Sequence, residues 1–382
     1  MARPGTLIFS TKARCTSRWS YPQTSVLVEV SSRTVNAWAL LRPSAELSDV
    51  TVGVLGRSLE ISPVEVVAVS FMSNHWHGLL VVEDQQRLSR FMQHFQGNLA
   101  REVGRIVGWK GPLWSRRYDG IVVSDEPKVQ WKRLRYVLEN SVKEGLCESP
   151  LEWPGVHAAR ALVDGVPLEG HWFDRTREWM ADRRHEKFEP HDFATKYLVG
   201  FSPLPAFRDL TPEAYREKVT ALVREIEDKG AQNHGDRPVL GVEKILSQDR
   251  FKAPSKAFSK APKKSPRPRF HAKSPEARAA LWSEFNEFMA DYGVAAKALL
   301  SGQLDAVSWF PEGSYLPAMI FAGDPAPPTP PPPPTREVTK SETGIVERGE
   351  IPVVEIAGRW QVAASPPKPQ AQDEPRARGQ PP

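Results

Sequence analysis

The chain has 382 residues, 40% of them hydrophobic, enough for a buried core, yet its 36 prolines are too many for an evenly globular protein. Its net charge of +5 permits contact with a polyanion without demanding one. No run of about 18 apolar residues exists, so no transmembrane helix is expected. With no apolar signal core after Met1 and no metal or redox spacing between Cys15 and Cys147, a reduced cytoplasmic protein is expected.

Residues 6–9 and 34–41 read as strands, with the polar stretch 17–25 near a loop between them. Leu47, Val50, Val54 and Leu55 give residues 45–59 a helical stripe despite several β-branched side chains. Strands at 64–72 and 75–82 meet at Ser73-Asn74, which is turn chemistry. Residues 88–107 form the best helix of the chain, with Leu88, Phe91, Met92, Phe95 and Leu99 on one side. A strand follows at 118–123. A helix is then expected over 125–147, where Leu134, Val137, Leu138, Val142 and Leu146 recur and Asp125 and Glu126 suit the positive end of the dipole. Strands with only two or three helices between them, partly joined as hairpins, indicate an α+β fold with an antiparallel sheet.

The second half divides by composition. Residues 161–249 form an accessory, mainly helical region; Thr211-Pro212-Glu213 opens its clearest helix, running to about residue 228. A second short element is expected at 237–246. Residues 250–273 hold nine Lys or Arg and no acid, a flexible basic linker able to follow phosphates. Ser274-Pro275-Glu276 starts a helix that stops near Gly302, within a small helical segment, 274–323. The tail, 324–382, opens on polyproline and is expected to be mostly disordered, with an apolar patch at 351–364 as its one docking strand.

The chemistry concentrates in Met72-Ser73-Asn74-His75-Trp76-His77. Alternate side chains of a strand share a face, so His75 and His77 point one way and Trp76 points into a core. Two imidazoles on one strand are a ready pair of metal ligands; two solvated histidines are the plainer alternative. Farther on, Tyr136 and Asn140 lie four apart, on one helix face.

This ordered set resembles the REP-associated tyrosine transposases, single-tyrosine members of the HUH nuclease superfamily. The resemblance rests on Met72 to His77, on Gly111-Pro112-Leu113-Trp114 with Arg117-Tyr118, on the stretch from Tyr136 to Leu146, and on Trp153-Pro154. It covers about residues 1–160, which it marks as the catalytic domain. Two positions depart from the pattern: Ser141 replaces a proline, and Gly78 replaces the commoner leucine.

The resemblance implies a ferredoxin-like or RRM-like sheet with helices on one face. It implies Tyr136 as a nucleophile that forms a 5′-phosphotyrosine link, and His75, His77 and Asn140 as ligands of magnesium or manganese. Single-stranded or hairpin DNA is the implied partner, a homodimer is compatible with it, and the protein would associate with the nucleoid. Arg116, Arg117, Lys128, Lys132, Arg133 and Arg135 flank the site as candidate phosphate contacts. Tyr118 is the competing nucleophile, and Trp114 could stack a base or pack in the core. A catalytically idle DNA- or RNA-binding regulator is the alternative function. A relaxase is disfavoured by the lack of a second nearby tyrosine and of a Walker A motif.

Overall fold

Val26-Leu27-Val28-Glu29-Val30 is apolar on both sides but for one acid, the pattern of a strand in the middle of a sheet. In the computed structural model, which describes residues 25–252, 270–311, 314, 316, 353–356 and 359–362, it forms strand β1, Val26–Arg33. The strand expected at 34–41 is absent. Residues there turn instead: Asn36 and Ala37 take φ of 52° and 54°, and the Thr34 hydroxyl donates to the Trp38 carbonyl at 2.6 Å. The strand expected at 6–9 lies outside the described residues.

Helix α1, Ala45–Ile61, is capped by Ser44, whose Oγ accepts from the Leu47 amide at 3.2 Å. Strands β2, Glu65–Phe71, and β3, His75–Val82, meet at the expected turn. Helix α2, Gln85–Val107, opens on the Asp84 cap and ends at Gly108 in the left-handed conformation. After β4, Asp119–Val123, comes α3, Pro127–Leu138, with proline where a missing amide costs nothing. The single helix expected over 125–147 is interrupted: Glu139 has ψ of −4°, and a short α4, Asn140–Lys143, follows.

The main sheet has the order β2-β3-β1-β4 with antiparallel pairing, so β1 and β3 are central. Register places Trp76 opposite Ser32 and Phe71, and His77 opposite Ser31 and Ser70. Trp76 stacks on Phe71 and meets Phe95 of α2 edge-on, and α1 packs against α2. On the other face, Tyr136 and Arg133 of α3 reach His77 and Glu29. The α+β class expected from sequence holds, while the helices divide between both faces instead of gathering on one. The glycine that departs from the family pattern has a cause: a Cβ at Gly78 would come within 2.8 Å of the Trp76 ring.

Downstream, α5, Ala158–Asp164, is followed by β5, Leu168–Phe173, α6, Arg175–Arg183, and β6, Ala194–Val199. The antiparallel β5–β6 pair, missed in a region expected to be mainly helical, packs on α1. Its close approach needs glycine, since a Cβ at Gly53 would sit 2.0 Å from the His171 carbonyl. Helix α7, Pro212–His234, runs past the expected end. Its Gly230 receives Val142 so closely that a Cβ there would clash at 2.3 Å, a seat that the break at Glu139 lets α4 reach. Helix α8, Val242–Leu246, is the short second element.

The far end of the basic linker is part of the fold. Phe270–His271 forms β7, which joins β4 in parallel and makes the five-stranded sheet mixed. Glu126 then accepts from the amides of Lys273 and Ser274, at 2.8 and 2.9 Å. Helix α9, Pro275–Leu300, follows with the expected cap and ends before Gly302, whose φ is 96°. Phe270 meets Trp282 and Phe285 of α9 edge-on. Strands β8, Val353–Ile356, and β9, Arg359–Val362, form a hairpin within the apolar patch expected to dock. The polyproline stretch lies outside the described residues.

His157 caps α5 through Nδ1, which accepts from the Ala159 amide at 3.1 Å, and burial pushes its pKa down to about 4 despite the opposing Leu138 carbonyl. A histidine held neutral when folded but free to charge when unfolded destabilises the fold as pH falls from its ordinary 6.5 to about 4. We expect the parent to lose about 3 kcal/mol more than His157→Asn, which keeps a cap acceptor, between those limits. Urea melts of both proteins at neutral and acid pH would show this; parallel losses would contradict it.

Candidate active site

Glu29 is the lone acid in an apolar strand, and it lies 5% exposed on the same face as His77. Its carboxylate is 2.5 Å from Arg133 Nε, 3.3 Å from His271 Nε2 and 3.6 Å from His77 Nδ1. Burial alone would raise its pKa, but His271, His77 and Arg133 outweigh it and hold the group well below the carboxylate range. A buried anion thus sits behind one histidine of the pair.

The other histidine is oriented by the turn. Asn74 Nδ2 donates to the Ala37 carbonyl at 3.2 Å, which leaves Asn74 Oδ1 facing His75 Nδ1 at 2.7 Å. His75 Nδ1 therefore carries the proton and Nε2 keeps its lone pair. Burial, helped by the charges of His77 and Arg33, lowers the His75 pKa to about 3 and keeps the ring neutral. The two imidazoles stand edge to face with centroids 5.2 Å apart.

Helix α3 lays Tyr136 over this pair. Its ring meets His77 edge-on at 5.3 Å, with the Arg133 guanidinium 4.1 Å and the Lys143 ammonium 4.9 Å from its centroid. Burial and the Glu29 charge raise the phenol pKa, against the pull of Arg133, so the hydroxyl is protonated at neutral pH. Asn140, first residue of α4, is buried, and its Nδ2 has no hydrogen-bond partner. Its side chain bonds to neither histidine. Among the described residues no group of three or more His, Cys, Asp or Glu could hold a metal ion, so any site here depends on the histidine pair with an amide or solvent oxygen.

The six basic candidates part company. Lys128 and Lys132 are exposed on α3, and Arg117 is exposed just before β4. Arg116 pairs with Asp119 at 2.5 Å. Arg133 is bound to Glu29, and Arg135 turns away to Glu139 and to Glu225 of α7, at 3.3 and 3.0 Å. Tyr118 is buried in the core, and Trp114 packs there with Nε1 donating to the Gln96 carbonyl. Arg33, opposite His75, and Lys143 are additions that sequence reading missed, together with Glu29 and His271. The signal for Glu29 was available: a single carboxylate in an otherwise apolar strand.

Residues 45–140 match the family model described as Transposase IS200 like. The matched segment runs from the start of α1 to Asn140 and includes the histidine pair and Tyr136. A REP-associated tyrosine transposase bound to a REP hairpin is a solved structure similar to this chain, at 16% identity and a TM-score of 0.30. That match covers 39% of this chain and 84% of the other. A candidate transposase from Deinococcus radiodurans R1 is similar at 21% identity and a TM-score of 0.24, over 33% of this chain and 95% of the other. No curated protein matches. No helix among the described residues is long and apolar enough to cross a membrane.

Proposed function

We propose that the transposase domain cleaves and rejoins single-stranded, hairpin-associated DNA through Tyr136. The observation that carries this reading is the seat of the Tyr136 ring against His77, on the sheet face that also bears His75. In cleavage, Tyr136 Oη forms a bond to phosphorus and the P–O3′ bond breaks. The phenol proton is lost, and the leaving 3′ oxygen gains one. The product is a 5′-phosphotyrosine with a free 3′-hydroxyl; attack by a second 3′-hydroxyl reverses the step and completes strand transfer.

The residues fit a hard divalent cation. His75 offers a neutral Nε2, His77 has the Glu29 carboxylate behind its Nδ1, and Asn140 is a buried amide whose oxygen is a hard donor. Magnesium or manganese held there would supply charge relief at the scissile phosphate. The chain supplies the rest. Arg133 and Lys143 over the ring favour the phenolate as it forms, and α3 fixes the approach of Oη.

The test is trapping of a covalent protein–DNA adduct with end-labelled hairpin oligonucleotides carrying single-stranded flanks. We expect adduct in magnesium or manganese, none in excess chelator, and a fall of about 100-fold or more in His77→Ala. Full adduct formation in chelator would remove the metal role. Tight binding with no adduct under any condition would leave an idle DNA-binding regulator.

A further inference from the structure

The turn that carries the histidines is clamped from outside by two segments distant in sequence. The Leu41 amide donates to the Ser73 carbonyl at 2.8 Å, and the Ser73 hydroxyl donates to Gln248 Oε1 at 2.7 Å. Between β1 and α1, Asn36 and Ala37 hold the left-handed conformation, which is uncommon without glycine and is kept where a loop must have a special shape. That loop delivers Trp38 into an aromatic cluster. The Trp38 and Trp109 rings are 5.3 Å apart, and Phe251 lies 5.9 and 6.0 Å from them. Both indoles are half-buried, while Phe251 is 44% exposed.

Two arginines adjoin the cluster. Arg42 donates to the Gln248 carbonyl at 2.8 Å, and Arg250 donates to the carbonyls of Leu40 and Arg42, each at 3.2 Å. Arg42 Nε is buried with no partner. Among the described residues neither guanidinium forms an ion pair with a carboxylate; Glu46 acts on Arg250 only through its charge. Burial and the neighbouring Arg42 charge lower the Arg250 pKa and outweigh the opposing Glu46 carboxylate. A phosphate would satisfy the pair, and a base can stack on an exposed ring. One polymer offers both groups at nucleotide spacing.

We infer that Arg42, Arg250, Trp38 and Phe251 form a contact site for single-stranded DNA, holding an unpaired nucleotide beside the histidine turn. The inference rests on the proposed function only in taking that strand to be the one Tyr136 cleaves. Its occupant follows from two guanidinium groups that bond only to carbonyls, next to exposed aromatic surface.

The experiment uses the full chain and three fluorescent probes: a DNA hairpin with a single-stranded overhang, the same hairpin with a blunt end, and the hairpin with an RNA overhang. Phe251→Ala should weaken binding of the DNA overhang probe by roughly 5- to 100-fold and leave the blunt hairpin unchanged, with Phe251→Tyr close to the parent. Arg250→Gln should also make the salt dependence shallower, by about 0.7 in log–log slope. In the unaltered protein, 5-iodouracil in the overhang should photocrosslink to Trp38, Trp109 or Phe251, a readout that does not depend on how the variants fold. Unchanged overhang affinity, equal losses on overhang and blunt probes, or crosslinks confined to other residues would overturn the site. Tighter binding of the RNA overhang would overturn its assignment to DNA. If the parent forms no Tyr136 adduct yet crosslinks as expected, the cleavage reading fails and this site stands.

Discussion

Tyr136→Phe is expected to abolish the covalent DNA adduct, a loss of at least about 1,000-fold, while leaving DNA affinity and fold stability nearly unchanged. The substitution removes one oxygen from a ring whose contacts are all with its face and edge: His77, Arg133 and Lys143 meet the π-system and not the hydroxyl. Among the described residues the hydroxyl has no hydrogen-bond partner, so its loss orphans none of them. Stability should therefore stay within about 0.5 kcal/mol of the parent in urea melts. The rival tyrosine makes the comparison clean. Tyr118 is buried in the core, so Tyr118→Phe should cost stability at most and leave adduct formation intact. An adduct that survives in Tyr136→Phe and disappears in Tyr118→Phe would reverse the assignment.

Glu29→Ala is expected to be the most destabilising single change near the site, by about 3–5 kcal/mol. The carboxylate lies on the central strand of the sheet, and its closest partner, Arg133, has a side chain only 12% exposed. Removing the anion leaves a guanidinium among two imidazoles with no counter-charge, and the cost of that buried cation dominates over the lost packing of the Glu29 methylenes. Removing both charges differs. Glu29→Leu with Arg133→Met should recover much of the loss, because neither buried charge is then left alone. The folded-state pKa of Glu29 is depressed, so its contribution is complete above the ordinary value of 4.5 and is lost only as pH falls below that value. Denaturant midpoints at neutral pH measure all three proteins. A single Glu29→Ala variant within about 1 kcal/mol of the parent would show that the cluster contributes little.

Sequence reading located β3, α1, α2 and α9 to within a few residues, because each carries a strong local period, a turn or a cap. It missed β1 because burial on both faces erases the alternation that marks a half-exposed strand. It missed β7 because two residues in a basic, proline-rich stretch show no local pattern; their pairing with β4 joins Val122 to Phe270, 148 residues apart. The same reason divides the site. His75, His77 and Tyr136 were legible as a motif, and the structure brings their rings together. Glu29 and His271 meet from positions 242 residues apart, at a point that no spacing rule connects. Arg135 reads as a free base in sequence, yet Glu225, ninety residues on, takes its charge.

The most direct measurement is peptide mapping of the covalent adduct. The full chain would be incubated with an end-labelled hairpin oligonucleotide and magnesium, digested with protease and nuclease, and analysed by mass spectrometry. With Tyr136 as the nucleophile, a residual 5′-phosphonucleotide is expected on the peptide that contains Tyr136 and on no other tyrosine. A nucleotide on another residue, or cleaved DNA with no protein-linked nucleotide at all, would contradict it.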